Sequence, residues 1–442
     1  MNKIIKLAAV LLVVLSASSC KKYLDIEPVG RVIPKTIEDF RGMLTSAYNG
    51  FPVHKSLLAV RTDELLLDEY GTNFPAYKDI YTWNDNASDG LTTPMPYVSF
   101  YTVIFNANHV IAEVEKEAGS TAETAQLKGE AYLLRAYAHF ELLNLYAKPY
   151  NASTAATDRG IVLSLAIDLE QNYKPATVAE VYAQVLADIA AGQQLLNVTS
   201  FDAGFNYRFT KRAAAAFAAR VYEFKGDWAD ALASSQQALA LKSDLEDLNV
   251  TGALLPNNYR SKENIMSMEN AFNAGITNSS MISGHLLGIY NQANDLRYPL
   301  YFGRSFGNTV SLKGGSNDKK ISFRNGELYL IQAEAALQSD NMALALKSLL
   351  DLKVKRLKPA YYQTEATRIS ALAKAALLQE ILNERERELA LEGHRWYDLR
   401  RYGQPELVHS FEDGSTYTLQ KNDPKYTLRF PAEARANNPN LQ

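Results

Sequence analysis

The stretch from Lys211 to Lys242, KRAAAAFAARVYEFKGDWADALASSQQALALK, constrains the fold more than any other part of the chain. Alanine is the residue least costly to hold in a helix, and the alanine-rich run continues to Lys225. There Lys225-Gly226-Asp227 places a glycine that can take the left-handed conformation closing a helix. A second helix is expected to start at once, with Trp228, Ala231, Leu232 and Ala238 along one face. Small residues facing large ones across a tight turn is how tetratricopeptide-type helix pairs pack. Glu327 to Arg356 repeats the scheme more loosely: Tyr329, Ala333 and Ala336, a Ser339-Asp340-Asn341 turn, then Ala345, Leu349 and Leu352. The spacing between the pairs is not constant, which predicts repeat-derived pairs broken by insertions rather than a regular solenoid.

Helical periodicity extends beyond these pairs. In Gln126 to Tyr146, Leu127, Ala131, Leu134, Ala138, Leu142 and Leu145 recur three and four apart, predicting one buried stripe. Ala131 and Ala138 would let a neighbouring helix approach closely, and Pro149 ends the run. Thr177 to Leu196 reads as a further amphipathic helix with the capping-box spacing Thr177 to Glu180. Three segments, Tyr70 to Tyr101, Tyr150 to Lys174 and Asn257 to Phe323, are interrupted by Pro, Gly, Asn, Asp and aromatic residues. The expected fold class is mainly α, with tetratricopeptide-like helix pairs in a single domain that has one irregular, loop-rich side.

Ahead of this body, Met1 to Lys6 is a short basic lead, followed by the apolar run Leu7 to Leu15 and the small residues Ser16 to Ser19. The apolar run is about nine residues, against about twenty needed to span a bilayer, which is the layout of a secretory signal. Cys20 is the only cysteine and stands where a bacterial lipoprotein is cut and acylated. The expected organisation is therefore a signal over 1–19, a lipidated tether over 20–36, and the body over 37–442. Two or three acyl chains on one residue hold a protein at a membrane stably. With Cys20 modified, no thiol remains for a disulfide. Removing Lys3 and Lys6 takes the formal charge from -3 to -5, which argues against nucleic acid as a partner.

The segment from Leu377, LLQEILNERERELALEGHRWYDLRRYG, resembles the C-terminal signature of the RagB/SusD family. KGEAYLLRAYAHFELLNLY at Lys128 to Tyr146 is similar to its Gly-Glu-Ala, Leu-Arg-Ala helix, and YTVIFNANHVI at Tyr101 to Ile111 to its early Asn-containing helix. Cys20 with Tyr23-Leu24-Asp25 and Pro28, Asp295-Leu296-Arg297, Arg324 to Glu334, and Pro431 with Asn438-Pro439 fall in the family's order. The resemblance implies an outer-membrane lipoprotein that faces the cell surface and is not an enzyme. It would bind an oligosaccharide, a polysaccharide or in some members a peptide, and cap a SusC-type TonB-dependent barrel. A tetratricopeptide-type protein-binding scaffold and an all-helical glycan hydrolase are the alternatives.

Candidate ligand contacts concentrate between Glu69 and Tyr101. Phe74, Tyr77, Tyr81 and Trp83 stand beside Asn84 and Asp85, and flat rings next to short amides and carboxylates suit sugars. Of the three tryptophans, Trp228 and Trp396 are expected in helix packing, leaving Trp83 in a loop-like setting. The same rings could instead form a small core under the loop, or meet a barrel partner. Tyr290, with Asn291 and Asn294, is a second candidate. The run Glu384 to Glu388 with Asp398 could be mistaken for an acid/base site. Residues three apart on a helix face one another, so Glu384 with Arg387 or Arg385 with Glu388 can pair along its surface, and the run is expected to serve structural packing and helix-to-helix ion pairing. The six histidines have no metal-ligand spacing. The nearest approach to a calcium loop, Asp85, Ala87, Asp89 and Gly90, lacks an oxygen at Ala87 and has Pro96 where the distal Glu belongs. No metal, cofactor or catalytic set is expected.

Overall fold

In a computed structural model, residues 34–442 are described, apart from 86–89, 169–172 and 271–272. Cys20, the leader and the tether as far as Ile33 lie outside the described residues. The helices of six residues or more begin with α1 (Ile37–Asn49), α2 (Lys55–Val60), α3 (Phe74–Tyr81), α4 (Val98–Ala118) and α5 (Ala122–Tyr146). Next come α6 (Val178–Leu195), α7 (Lys211–Lys225), α8 (Trp228–Leu241), α9 (Asn325–Gln338) and α10 (Met342–Lys353). The last are α11 (Pro359–Ser370), α12 (Lys374–Glu388), α13 (Arg395–Arg401) and α14 (Ala432–Asn437). The fold is mainly α.

The pairs α7–α8 and α9–α10 form where the alanine-rich and apolar patterns place them, and α9 also packs on α8. Gly226 closes α7 with a left-handed backbone (φ 75°, ψ 22°). At the start of α6, Glu180 N–H donates to Thr177 Oγ1 (3.2 Å) and Thr177 N–H to Glu180 Oε2 (2.8 Å), completing the capping box.

Helix α5 departs from the expected single stripe, because from Leu133 to Tyr146 every residue is buried. It lies between α4 and α6, with α1 and α7 also against it. Its polar residues tolerate burial because each finds a partner. Glu130 receives Arg41 (2.9 Å) and Arg208 (2.8 Å), Arg135 pairs with Asp188 (2.6 Å), and Glu141 with His54 (2.9 Å). Hydrophobic periodicity registers only the apolar stripe and is blind to such pairs. Glycines sit at the close approach to α6: a Cβ on Gly192 would lie 2.8 Å from Leu133 Cγ, and one on Gly129 3.1 Å from the Gly192 carbonyl.

The described residues also form five antiparallel two-stranded sheets. These are β1 (Leu65–Leu67) with β5 (Ser280–Ile282), β2 (Arg159–Val162) with β3 (Pro175–Thr177), and β4 (Asn264–Asn270) with β8 (Lys320–Arg324). The others are β6 (Phe302–Ser305) with β7 (Asn308–Ser311), and β9 (Leu407–Ser410) with β10 (Thr416–Leu419). Helix α3 lies in a stretch expected to be irregular; Pro75 falls in its first turn, where no backbone N–H is needed.

The Glu384–Glu388 run is buried apart from the half-buried Arg387, and its ion pairs run to other helices as well as along its own. Glu384 does receive Arg387 (2.9 Å), but Arg385 turns to Glu223 (2.8 Å) and Asp398 (3.2 Å). Glu388, fully buried, is shared by Arg297 (2.9 Å), Arg324 (2.6 Å) and Arg356 (2.9 Å). Burial alone would raise the Glu388 carboxyl, but Arg356, Arg324 and Arg297 hold it well below the ordinary carboxylate range. These guanidiniums come from three chain segments, so the cluster ties the irregular side to the helices. Gly393, at φ 83°, turns the chain after α12 so closely that a Cβ there would lie 2.4 Å from Lys55 Cβ.

Candidate functional site

The chain around Trp83 shows what the loop-like pattern does when folded. Trp83 takes a left-handed backbone (φ 53°), turns its indole inward and is 1% exposed. Its Nε1–H donates to the Arg61 carbonyl at 3.1 Å. The indole stacks on His409 at 4.2 Å, and Tyr81 stacks on the same imidazole at 4.0 Å. Tyr77 is also buried, its hydroxyl 3.5 Å from Asn273 Oδ1. Tyr290 is buried with its hydroxyl donating to the Arg387 carbonyl (2.6 Å). The expectation of an open aromatic platform is thus corrected for Trp83, Tyr81, Tyr77 and Tyr290, whose ring faces are taken up by protein. Phe74 alone among the candidate rings stays half-buried, edge-on to Phe411 at 5.5 Å.

Asn84 and Asp85 do reach solvent, and they edge a groove of about 810 Å³ between the end of α3 and the C-terminal tail. Asn84 Nδ2–H donates to Asp79 Oδ1 (2.8 Å), and Thr92 Oγ1–H to Asp79 Oδ2 (2.6 Å). Asp85 accepts from the buried Arg61 guanidinium (2.7 Å), whose other amino group donates to the Lys425 carbonyl (2.9 Å). Arg61 also lies 4.9 Å over the Trp396 ring, which stacks on Tyr426. One buried arginine therefore fixes the distance between the Asn84–Asp85 wall and the tail wall.

The opposite wall comes from residues the sequence did not single out: Arg159, Tyr417, Lys425 and Arg429. Arg159 Nη1–H donates to the Gln442 carbonyl (2.7 Å), and its guanidinium covers the Phe430 ring at 5.0 Å. With Lys78, the groove carries four cationic side chains against Asp79 and Asp85, both already engaged. A smaller cavity of about 310 Å³ shares Asp79, Asn84, Asp85 and Arg429 and runs on toward Pro94 and Arg435. No local pattern marks Arg159 or Lys425, because chain stretches far apart in sequence bring them together.

Away from the groove, Asp63, His285 and Glu386 converge within 4.8 Å of one another, a juxtaposition invisible in their spacing. Arg395 bridges Asp63 (2.6 Å) and Glu386 (2.9 Å), so the two carboxylates share one guanidinium. The hydrogen bond that His285 Nε2–H donates to Glu386 raises the His285 pKa against its burial, and Asp63 adds to the rise. His139 is buried in α5; burial and Arg135 push it down to about 3, and its Nε2 accepts from Ser164 N–H (3.3 Å).

The class of protein so defined is a helix-pair scaffold with an open groove built by its loops and C-terminal tail. Residues 166–440 match the model described as SusD family, and residues 22–222 one described as starch-binding associating with outer membrane. The chain belongs to the SusD family. It is 24% identical to a SusD-like protein of Formosa agariphila, over 87% of this chain and 88% of that one. A SusD superfamily structure from Bacteroides fragilis superposes with a TM-score of 0.78 at 20% identity, covering 92% of this chain and 99% of that one. A SusD-like carbohydrate binding protein from Bacteroides vulgatus does so with a TM-score of 0.71 at 19% identity, covering 92% and 98%. No helix among the described residues is long and apolar enough to cross a membrane.

Proposed function

We propose that this chain is an outer-membrane nutrient-binding lipoprotein, held by acylated Cys20 and facing the cell surface. It takes an oligosaccharide or polysaccharide into the Asn84–Lys425 groove and passes it, unaltered, to a SusC-type TonB-dependent barrel. The observation that carries this reading is the open groove of about 810 Å³ within a SusD-family fold, a size suited to a ligand of several rings. The name of the Bacteroides vulgatus relative, a carbohydrate binding protein, supports the ligand class. Hydrolysis of a glycan needs a carboxylic acid with a raised pKa facing a second carboxylate across a cleft. Asp79 and Asp85 are instead tied to Asn84, Thr92 and Arg61. Glu64 and Glu223 are pushed up to about 8 by burial, but Glu64 lies sealed beneath the Leu391 N–H, and Glu223 is buried against Arg385 and Arg401, both outside this groove.

A glycan and peptide array on the soluble body, with Asn84→Ala and Cys20→Ala alongside, tests the reading. One lost hydrogen bond of about 1 kcal/mol lowers affinity about fivefold, so Asn84→Ala should weaken glycan binding by that order. Cys20→Ala should move the protein from membranes to the soluble fraction; unchanged retention rejects the lipid anchor. Turnover of a polysaccharide by the purified protein would reject transport without alteration.

A further inference from the structure

On the other side of the Pro424–Thr427 ridge lies a second cavity of about 860 Å³, between the α7–α8 turn, the end of α13 and the Lys148–Arg159 loop. Tyr150, Trp228 and Tyr402 line it and are all half-buried, with Lys225 over the Tyr150 ring (5.8 Å) and Arg401 over the Tyr402 ring (5.0 Å). Trp228 is the only tryptophan of the chain that reaches solvent, since Trp83 and Trp396 are at most 1% exposed. The Trp228 indole N–H and the side chains of Gln338, Gln404 and Asn422 make no hydrogen bond within the described residues. By contrast, the charged groups around them already have partners: Lys148 pairs with Asp158 (2.8 Å), Lys225 with Asp227 (3.2 Å) and Arg401 with Glu334 (2.9 Å), while Arg400 donates to the Asn144 and Ala147 carbonyls, Arg159 to the Gln442 carbonyl, and Asp423 accepts from the Lys425 N–H.

Two of the carboxamides are held in place by uncommon backbone. Gln404 (φ 44°) and Asn422 (φ 59°) are both left-handed, and Asn422 N–H donates to the Gln404 carbonyl at 2.9 Å. Trp83, in the first groove, is another of the six non-glycine residues with positive φ among the described residues. Such backbone persists where surrounding structure over-determines it, and it clusters at binding sites. A half-buried indole beside unpaired carboxamides, among charges that already have protein partners, suits a neutral polyhydroxylated ligand: the ring covers a C–H face and each carboxamide bonds a hydroxyl. The two cavities share Arg159, Pro424 and Thr427, so one chain can cross the ridge and lie in both.

We infer that this cavity is a second glycan subsite for neutral sugar units, and that the protein grips one polymer at two places. The inference rests on the proposed glycan-binding function. Two linked contacts raise affinity for long chains through effective concentration. The test compares the tri- and heptasaccharide of the neutral glycan bound most tightly on the array, by calorimetry and tryptophan emission. Wild type should bind the heptasaccharide at least tenfold more tightly than the trisaccharide. Asn422→Gly with Gln338→Ala, which keeps the left-handed turn, should remove most of that gain with the Tm unchanged. Ligand-induced change in emission should disappear in Trp228→Phe. A heptasaccharide affinity within twofold of wild type in the double variant, or emission that responds equally without Trp228, overturns the subsite while leaving glycan binding intact. Binding confined to peptides or charged glycans overturns its neutral-sugar character. No binding on any array brings down the functional reading itself.

Discussion

Replacing Trp83 by alanine separates the folded arrangement from the one its local sequence suggests. A buried tryptophan withdraws about 200 Å² from water, which at about 25 cal/mol per Å² corresponds to about 5 kcal/mol. Alanine retains a small part of that, and truncations of large buried rings cost about 3–5 kcal/mol when measured. The lost Nε1–H bond leaves the Arg61 carbonyl without that donor, adding about 1 kcal/mol. We expect Trp83→Ala to lose about 4–5 kcal/mol. For a body of about 400 residues the entropy of unfolding is about 0.8 kcal/mol per degree, so the Tm should fall by about 5–6 °C. Glycine supplies a control specific to the backbone. It is ordinarily worse than alanine, but at φ 53° it relieves the left-handed strain, so Trp83→Gly should match Trp83→Ala or exceed it by about 1 kcal/mol. Thermal and urea unfolding read both variants. An unchanged Tm with weakened glycan binding would refute the core assignment and return Trp83 to the ligand surface.

Glu388→Gln leaves Arg297, Arg324 and Arg356 without their shared carboxylate, and should cost about 3–5 kcal/mol, read by urea unfolding; a loss below about 1 kcal/mol would reject the cluster as a fold determinant. Because the folded Glu388 pKa is depressed, its contribution is complete above the ordinary value of 4.5 and fades as pH falls toward the folded one. His285 behaves oppositely. Its folded pKa is raised above 6.5 by Glu386 and Asp63, so its stabilisation is complete below about pH 6.5 and is lost as pH rises through the folded value. The Tm gap between wild type and His285→Gln should therefore shrink from pH 6 to pH 9, and a gap that widens would reject the ion-pair role.

Much of the helical scaffold was legible because its determinants are local. Gly226 closing α7, the Thr177–Glu180 capping box and the Ala-to-Trp228 hairpin each depend on residues within one turn of one another. What escaped the sequence depends on partners far along the chain. Trp83 reads as a loop residue until His409, 326 positions away, supplies the ring it stacks on. Arg159 and Lys425 have no local pattern at all, yet they line the same groove. The aromatic density at 69–101 did locate a groove wall, but the rings build its foundation, while Asn84, Asp85 and Lys78 present its surface.

Glu388 answers to three arginines from separate segments, so no one of those charges can be exchanged alone without stranding another in the interior. The ERERE stretch therefore reports on folding rather than on ligand. The groove side chains Lys78, Asn84 and Lys425 are exposed, and substitutions at such positions usually change stability by no more than about 0.5 kcal/mol. A scaffold built this way can alter its ligand by small changes on the loops and tail while its core stays locked. If that separation holds, Asn84→Ala and Lys425→Ala should each change glycan affinity with the Tm unchanged, whereas Glu388→Gln should do the reverse at temperatures where it remains folded.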